Sequence, residues 1–365
     1  MDRRAFLGSA AATLVLPGCA TTMATRQTVA APTGCLPRVL VSPNRVIRTV
    51  AGLRPYRASG FVVRAEALGD KRLVHNYGHG GAGITLSWGS SKLATQLGLQ
   101  GHQGPVAVLG AGVMGLTTAR LVQEAGFPVT IYAKALTPDT TSNIAGGQIA
   151  PFGHYRRDSV TPAWQAQFMA ALAYSWRRFQ IMVGDDYGIR WLPTYEQVGA
   201  DDAPGPLDPY MPEVHRIETA EHPFPFERTI RFNTMYVETG RFLRELTRDV
   251  QIAGGQIRIR NFATPTELAA LPERLIFNCT GLGSRDLFGD TELHPVRGQL
   301  AILLPQPEIR YAYSGEAGYM FPRADGILLG GTFEHDQWEA TPQPEAIARI
   351  IERHQALMAG LRCTT

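Results

Sequence analysis

Three glycines in the run GAGVMG, at positions 110, 112 and 115, have the spacing of a loop that holds a pyrophosphate. In such a loop Gly110 permits a tight turn, Gly112 lets the backbone approach the phosphates, and Gly115 lets a helix pack closely on a strand. The free N–H groups and positive dipole end of that helix then stabilise the negative charge. A glycine turn without a ligand can have the same spacing by chance, so the flanking elements decide between the two interpretations.

The elements around this run have the order that a dinucleotide site requires. Residues 106–109 are an apolar run typical of a buried strand, and residues 113–125 carry apolar positions at helical spacing before Gly126. Residues 129–132 predict the next strand, which completes a β-α-β unit. Lys134 follows that strand, where an acidic residue commonly accepts the ribose hydroxyls. A lysine suits either the 2′-phosphate of NADP or a solvated surface, so these residues alone leave the dinucleotide undecided.

Six further segments, rich in glycine, hydroxyl and arginine residues, resemble the D-amino-acid oxidase family of FAD enzymes. They are GLRPYR (52–57), HNYGHGGAG (75–83), TPDTTSNIAGG (137–147), NCTG (278–281), HPVRGQ (294–299) and YMFPR (319–323). The resemblance extends over residues 41 to 338 and is therefore more specific than any one motif. It implies an FAD cofactor rather than a nicotinamide one.

The resemblance also implies which residues surround the FAD. They are Gly110, Gly112, Gly115, Thr140, Thr141, Ser142, Gly146, Gly147, Thr280, Gly281, Gly80, Gly83, Ile84 and Thr85. Closely spaced glycines let backbone N–H groups reach the flavin ring and stabilise negative charge on it. Without the resemblance, residues 80–83 would be interpreted as a hairpin turn.

Three residues are implied to hold an amino-acid substrate. Arg54 would grip the carboxylate with two parallel hydrogen bonds, Tyr319 would donate its hydroxyl to that carboxylate, and the Gly81 carbonyl would accept from the amine. Without the resemblance, an arginine such as Arg54 would more often be a surface ion-pair partner, and a tyrosine such as Tyr319 would more often be a core aromatic. Glu316 stands where many members of the family have a second active-site tyrosine on a mobile lid. A glutamate there would favour basic side chains or point to solvent, so the side-chain preference stays open.

The implied activity is oxidative deamination of a D-amino acid. Hydride passes from the substrate Cα to flavin N5, the imino acid hydrolyses to a keto acid and ammonia, and O2 takes the electrons to give hydrogen peroxide. No dedicated acid or base is needed, because orientation by the carboxylate clamp carries most of the catalysis. Open alternatives are a glycine or other amine oxidase, a quinone-reducing dehydrogenase and a non-catalytic flavin-binding protein. An NADP dehydrogenase is supported by Lys134 alone.

The order of the segments differs from that of the family, in which GxGxxG begins the chain and the RPxR and HNYGHGG segments end it. Here those two segments come first, so the sequence resembles a circularly permuted member joined through GHQG (101–104).

The predicted fold class is α/β, with a Rossmann-like FAD-binding domain and an antiparallel-sheet substrate domain. The predicted divisions are an export leader and linker (1–34), a permuted segment that completes both domains (35–104), the FAD-binding β-α-β unit and following helix (105–185), a first stretch of the substrate domain (186–235), a further stretch of the FAD domain (236–290), and the remainder of the substrate domain with a C-terminal helix (291–365).

The cysteines have no CxxC spacing and no histidine cluster beside them, so no metal site is predicted. Cys279 lies in an apolar run typical of the core. The resemblance puts Cys35 and Cys363 on either side of the break where the family has continuous chain. A disulfide between them would replace the lost connection and stabilise the fold by about 2 to 4 kcal/mol. Two unpaired surface thiols are the alternative.

The start of the chain is typical of an export leader, because Arg3 and Arg4 precede a short apolar stretch that ends near Cys19. The arginine pair resembles a twin-arginine signal, and the stretch is too short to span a bilayer. The expected location is the periplasm, or the membrane surface if Cys19 carries a lipid anchor. Cleavage near Ala30 is the alternative.

Composition adds the broad class. A chain of 365 residues with 44% hydrophobic and 18% charged residues predicts a globular protein of two domains. The net charge of +3 comes without basic runs interleaved with aromatics, so no nucleic-acid partner is expected. The expected partners are a small D-amino acid and O2, and a homodimer is left open.

Overall fold

The computed structural model of the chain describes residues 35–151, 153–199, 207–218 and 222–362. Its strands are β1 (Val46–Tyr56), β2 (Val62–Leu68), β3 (Lys71–Tyr77), β4 (Val106–Leu109), β5 (Val129–Ala133), β6 (Ile189–Gln197), β7 (His215–Glu218), β8 (Arg228–Val237), β9 (Gln256–Ile259), β10 (Leu275–Asn278), β11 (His294–Leu303), β12 (Ala312–Gly315), β13 (Gly318–Arg323), β14 (Gly326–Gly330) and β15 (Glu334–His335). Its helices are α1 (Gly83–Leu99), α2 (Val113–Glu124), α3 (Thr141–Ile144), α4 (Pro162–Ile181), α5 (Thr239–Ile252), α6 (Pro265–Ala269), α7 (Gly283–Phe288) and α8 (Pro344–Ala359).

One sheet has the strand order β2-β3-β10-β4-β5-β9. Its strands are parallel except β2, which pairs antiparallel with β3. Strands β4 and β10 are buried at every position, as expected for parallel strands covered on both faces. The predicted β4-α2-β5 unit is confirmed, and its carboxyl-terminal edge carries the glycine run.

The other sheet has the order β1-β11-β14-β13-β12-β6-β8-β7, with β15 paired to β11. Its strands pair antiparallel except β12 and β6, which are parallel, so it is the antiparallel sheet that was expected. One face packs beneath α8 through residues such as Tyr313, Met320 and Ile351. The opposite face carries Leu300 and Phe321, which pack with Ile144 of α3. The two sheets with their helices give the predicted α/β class.

The helix predicted to follow the β-α-β unit is α4, and the predicted C-terminal helix is α8. Helix α4 begins after Thr161, whose hydroxyl accepts from the Trp164 N–H at 3.2 Å, and Pro162 fits its first turn. It ends at Ile181, and Gly184 then bridges to Ile189, the first residue of β6. No helix in the described part of the chain is long and apolar enough to cross a bilayer.

The join from α1 to β4 is a short loop, residues 101–104. Gly101 and Gly104 have φ of +68° and +90°, a backbone conformation that favours glycine. Residues 35–104 therefore contribute β1 to the antiparallel sheet and β2, β3 and α1 to the parallel one. The predicted domain boundaries stay predictions.

The ends of the described chain lie together. The Arg38 guanidinium donates to the Leu361 carbonyl at 2.8 Å. Cys35 is disulfide-bonded, and the only other cysteine among the described residues, Cys279, is a free thiol buried in the core as predicted. Cys363 and the leader with Cys19 lie outside the described residues, so the pairing of Cys35 with Cys363 stays a prediction.

Candidate active site

The glycine run after β4 turns so tightly that side chains are excluded. Gly110 has φ of +100°, and a Cβ there would lie 2.6 Å from the Cys279 carbonyl oxygen. A Cβ on Gly115 would lie 1.9 Å from the Gly110 carbonyl oxygen. Both contacts are sterically forbidden, so the sequence spacing of these glycines has the physical reason that was predicted for it.

The N-terminus of α2 faces the loop of residues 140–147. Gly112 is the N-cap of α2, and the next N–H, that of Val113, donates to Ser142 Oγ at 3.0 Å. The Thr140 hydroxyl donates to the Asn143 side chain at 2.7 Å, while Thr141 is exposed. The hydroxyls of Thr140 and Ser142 thus shape the loop beside the positive end of the α2 dipole.

This loop then rests on the antiparallel sheet. Gly147 has φ of +90°, and a Cβ there would lie 2.0 Å from the Val237 carbonyl oxygen. A Cβ on Gly146 would lie 2.7 Å from the Phe321 ring. The glycines let the loop that meets α2 also touch the other sheet, which brings the two halves of the candidate site together.

The carboxyl ends of β4 and β10 meet at one edge of the parallel sheet, where open α/β sheets bind ligands. After β10 the Thr280 hydroxyl donates to Asn278 Oδ1 at 2.8 Å. Gly281 has φ of +58° and open space where a Cβ would stand. This turn therefore exposes backbone next to the glycine run.

Residues 80–83 do not form the hairpin that glycine content alone suggests. Gly80–Ala82 is a single 3-10 turn that leads directly into α1, beginning at Gly83. The Gly81 N–H donates to the Gly153 carbonyl at 3.0 Å. Within α1, Ile84 is buried, and the Thr85 hydroxyl both accepts from and donates to the Ala150 backbone at 3.0 Å. The segment is a helix start braced by the loop after residue 149.

Two histidines beneath this turn are buried and uncharged. Burial lowers the pKa of His79 to about 3, with the neighbouring His154 as a second cause, and burial lowers the pKa of His154 to about 4. The His79 ring stacks on Phe61 with centroids 5.0 Å apart. Imidazoles with such low pKa values are weak bases, so they pack the turn rather than accept protons at neutral pH.

Arg54 and Tyr319 lie on the antiparallel sheet, each flat against a glycine of the adjacent strand. A Cβ on Gly298 would lie 2.3 to 2.5 Å from the Arg54 guanidinium, and a Cβ on Gly330 would lie 2.1 Å from the Tyr319 ring. Gly298 is on β11 beside β1, and Gly330 is on β14 beside β13. The bare backbone at both glycines therefore leaves room for the Arg54 guanidinium and the Tyr319 ring to lie on the surface of the sheet.

The Arg54 guanidinium carries an unneutralised charge. Its Nη1 donates to the Thr332 carbonyl at 3.2 Å, and its central carbon lies 5.5 Å from the centroid of the Phe333 ring. Within the described ranges no carboxylate forms an ion pair with Arg54, which removes the surface ion-pair interpretation. A half-buried guanidinium without a counter-ion is suited to bind an anion.

Tyr319 is half-buried, with its hydroxyl directed to the same place. Its ring stacks on Phe321 with centroids 4.7 Å apart, and a Cβ on Gly331 would lie 3.0 Å from its hydroxyl oxygen. Since Arg54 donates to the adjacent Thr332, the two predicted carboxylate partners converge on residues 331–332. Tyr319 is thus at the rim of an apolar cluster rather than inside the core.

The two departures from the family pattern are both exposed. Glu316 lies on the hairpin turn between β12 and β13, where its backbone N–H donates to Gln197 Oε1 at 3.1 Å. Lys134 directly follows β5. Among the described residues no group of three or more His, Cys, Asp and Glu side chains could hold a metal ion.

Sequence reasoning missed three contributors to the site: Gly298, Gly330 and Phe333. Glycine inside a strand is a known sign of close backbone approach and could have drawn attention to the first two. Phe333 has no comparable local signal.

A family model described as FAD dependent oxidoreductase, named DAO, matches residues 14–97 and 105–365. A D-amino-acid oxidase of Streptomyces coelicolor is 32% identical over 278 residues, which are 72% of this chain and 81% of that protein. The human D-aspartate oxidase is 28% identical over 266 residues, 70% of this chain and 76% of that protein.

Among solved structures, the glycine oxidase from Geobacillus kaustophilus aligns with a TM-score of 0.53 and 15% identity, covering 71% of this chain and 80% of that one. The iminodiacetate oxidase from Chelativorans sp. BNC1 aligns with a TM-score of 0.51 and 16% identity, covering 70% and 79%. At these identities the structures establish a shared fold.

Proposed function

Since the chain belongs to the DAO family of FAD-dependent oxidoreductases, and is an enzyme whose cofactor is FAD, we propose that it oxidises D-amino acids. The observation that carries this proposal is the Arg54 guanidinium, which has no carboxylate partner among the described residues and which, like the Tyr319 hydroxyl, lies beside residues 331–332. That arrangement fits a small carboxylate beside a dinucleotide. The relatives named D-amino-acid oxidase and D-aspartate oxidase support the substrate class.

The glycine turns fit FAD, because Gly110 and Gly115 allow the tight turn from strand to helix that a pyrophosphate site needs, and Gly281 has open space beside it. The residues proposed to hold the cofactor are Gly110, Gly112, Gly115, Thr140, Thr141, Ser142, Gly146, Gly147, Thr280, Gly281, Gly80, Gly83, Ile84 and Thr85. The N-terminus of α2 supplies N–H groups and positive potential for the pyrophosphate. FAD, when bound, would supply the hydride acceptor of the reaction and the route for the electrons to O2.

The protein itself orients the substrate. Arg54 would hold the substrate carboxylate in a forked pair of hydrogen bonds, and the Tyr319 hydroxyl would donate a third hydrogen bond to it. The carbonyl of Gly81 would accept from the neutral amine, which fixes the direction of the Cα–H bond. No base is invoked, since His79 and His154 are weak bases and packed among apolar rings. The overall reaction is D-amino acid plus O2 and H2O giving 2-oxo acid, ammonia and H2O2.

The test is the visible spectrum of the purified holoenzyme without oxygen, before and after adding a D-amino acid. We expect the flavin absorbance to bleach with the D- but not the L-enantiomer, and to return with air while one H2O2 forms per substrate. Bleaching by glycine alone would point to a glycine oxidase, and recovery with a quinone but not with air to a dehydrogenase. A flavin that no D-amino acid or glycine reduces would refute the proposal and indicate a non-catalytic flavin-binding protein.

We also propose that the chain is a circularly permuted member of its family. The support is that the family model matches two blocks, residues 14–97 and 105–365, with the glycine loop of residues 101–104 between them. A rearranged gene that begins at residue 105, joins the present C-terminus to residue 35 and ends at residue 104 would restore the family order. It should then give an active holoenzyme. If that protein is unfolded while the native order binds FAD, the proposal fails.

Export to the periplasm through a twin-arginine route is proposed as well, with Cys35 and Cys363 forming the disulfide. The disulfide at Cys35 supports an oxidising compartment. Replacing Arg3 and Arg4 by lysine should retain the protein in the cytoplasm, and Cys363→Ser should make Cys35 reactive to a thiol reagent. Unchanged export of the lysine variant would contradict the twin-arginine route. An unreactive Cys35 in the Cys363→Ser variant would contradict the Cys35–Cys363 disulfide.

A further inference from the structure

The segment between β14 and α8 carries two half-exposed aromatic side chains, each beside an arginine. Phe333 is 53% exposed, and its ring centroid lies 5.5 Å from the Arg54 guanidinium carbon. Trp338 is 51% exposed, and its ring lies 5.6 Å from the guanidinium carbon of Arg285. The two contacts are alike in geometry, so the difference between them lies in what each arginine does.

Arg285 is committed to the backbone. Its Nη1 donates to the Thr291 carbonyl at 2.8 Å and to the Leu293 carbonyl at 2.9 Å, which ties α7 to the start of β11. Arg54 has only the Thr332 carbonyl as acceptor among the described residues, at 3.2 Å. The ring of Phe333 is therefore a large part of what holds the Arg54 guanidinium, whereas Trp338 adds to a guanidinium already held.

Phe333 also faces the loop at Gly153. A Cβ built on Gly153 would lie 3.4 Å from Phe333 Cε2, so the ring lies next to the side-chain position of that residue. The Gly153 carbonyl in turn accepts from the Gly81 N–H at 3.0 Å. The ring thus spans from the arginine that binds the carboxylate to the loop that braces the turn at Gly81.

An aromatic ring in this position has two physical effects. Its negative face attracts the guanidinium and keeps that plane oriented for a forked pair of hydrogen bonds. Its apolar surface keeps water from one side of the guanidinium, and an ion pair formed there is stronger because the local dielectric constant is lower.

We propose that Phe333 is a positioning residue that orients Arg54 and shields its ion pair with the substrate carboxylate from water. This inference rests on the proposed function, since it assigns Arg54 to a carboxylate. It concerns substrate affinity and not the hydride step.

The test uses the FAD-loaded enzyme and benzoate, a monocarboxylate whose binding is measured by calorimetry without turnover. Phe333→Ala should raise the Kd for benzoate about three- to thirtyfold. The KM for a D-amino acid should rise by a similar factor while kcat changes less than about twofold. Raising the salt concentration should weaken benzoate binding more in Phe333→Ala than in the wild type, because the unshielded ion pair is screened.

The matched variants are Trp338→Ala and Phe333→Tyr. Trp338→Ala removes a ring of similar exposure from Arg285 and should leave the benzoate Kd unchanged. Phe333→Tyr keeps the aromatic face and should bind benzoate within about twofold of wild type. FAD content and thermal midpoint, compared for all three, show whether each variant is folded.

The proposal is overturned if folded Phe333→Ala binds benzoate as wild type does, or if Trp338→Ala weakens binding equally. It also falls if the tyrosine variant behaves like the alanine one. These outcomes leave the proposed function intact as long as wild-type enzyme oxidises D-amino acids. A wild type that neither binds benzoate nor oxidises a D-amino acid would overturn both.

Discussion

Arg54 and Arg57 lie three residues apart in GLRPYR, yet their surroundings differ completely. Arg57 donates to Asp290 at 2.9 Å and to Glu292 at 2.7 Å, and it also binds the Ser59 hydroxyl. Among the residues that the structure describes, Arg54 has one backbone acceptor, the Thr332 carbonyl, and one aromatic ring, that of Phe333. The region around Arg57 has neutralised its charge, whereas the region around Arg54 has left a charge for a ligand.

The difference teaches how to separate structural from functional arginines. The Asp290 carboxylate that Arg57 binds also accepts from the Tyr77 hydroxyl at 2.8 Å, so the pair ties the end of β1 to β3 in the other sheet. Burial, together with that hydrogen bond, raises the pKa of Tyr77 above its usual range and keeps the hydroxyl a donor. A guanidinium with full partners contributes stability, and one without them contributes binding.

The largest effect is expected from Arg57→Ala, which leaves Asp290, only 12% exposed in its side chain, without a cation. We expect the free energy of unfolding to fall by about 3 to 5 kcal/mol, because breaking a buried pair strands a charge. Urea unfolding of the holoenzyme measures it. Adding Asp290→Asn should recover some of the loss. A change below about 1 kcal/mol would show that the Arg57 region is not structural.

Arg54→Leu should have the opposite profile. Removing a charge-assisted contact of about 1.5 to 3 kcal/mol should raise the KM for a D-amino acid roughly tenfold to 150-fold, while the free energy of unfolding changes by less than about 1 kcal/mol. Arg54→Lys keeps the charge without the fork and should fall between. Steady-state kinetics with urea unfolding checks both. Unchanged kcat/KM would remove Arg54 from the site.

Acid should lower the free energy of unfolding through His354, which lies beneath the region of Arg54 and Tyr319. His354 binds the backbone of Gly330, the residue under the Tyr319 ring. His354 accepts from the Tyr313 hydroxyl through Nδ1 at 2.7 Å, and its Nε2 donates to the Gly330 carbonyl at 3.1 Å. Burial lowers the pKa of His354 to about 4, whereas the unfolded chain has the ordinary value of about 6.5. The stability that follows from neutral His354 is therefore complete above about pH 6.5 and is lost as the pH falls from there toward 4.

The expected slope is about 1.4 kcal/mol per pH unit for this histidine within that window. Unfolding free energies of wild type and His354→Gln, measured from about pH 7.5 to about pH 5, should diverge at neutral pH and approach each other in acid. His79 and His154 contribute equally to both proteins and cancel in the comparison. Parallel curves would mean that His354 titrates normally.

The smallest effect on KM is expected from Tyr319→Phe, which removes one hydroxyl from the proposed carboxylate site. A hydrogen bond from an uncharged hydroxyl to a carboxylate contributes about 1.5 kcal/mol at the low end of its range, which corresponds to a roughly tenfold rise in KM. Tyr311→Phe is the control, because that hydroxyl donates to the Pro37 carbonyl at 2.7 Å on the opposite face of the sheet. If both variants leave KM unchanged, the clamp consists of Arg54 alone.

Local patterns in the sequence predicted the β4-α2-β5 unit well, because apolar spacing and glycine stops act over a few residues. Glycine content alone would make residues 80–83 a hairpin, since it does not reveal that the chain continues into α1. The choice between Arg54 and Arg57 came from the family resemblance. Their surroundings depend on which strands adjoin β1.

Phe333 could not be predicted for the same reason. Its neighbour Thr332 and Arg54 are 278 residues apart in sequence and meet only because β11 lies between β1 and β14. No periodicity within either segment encodes that order. Long-range strand pairing therefore limits what one sequence reveals about a site, even where every catalytic candidate is in a recognisable motif.

The bare backbone at Gly298 and Gly330 also constrains how this pocket can change during evolution. Any side chain at either position would collide with Arg54 or Tyr319. Natural variation at these two glycines would therefore displace the residues proposed to bind the substrate carboxylate. New substrate preferences must arise at the rim, in the turn that carries Glu316 and the segment that carries Phe333. Related enzymes should therefore share the glycines at positions 298 and 330 and differ from one another in the segments that carry Glu316 and Phe333.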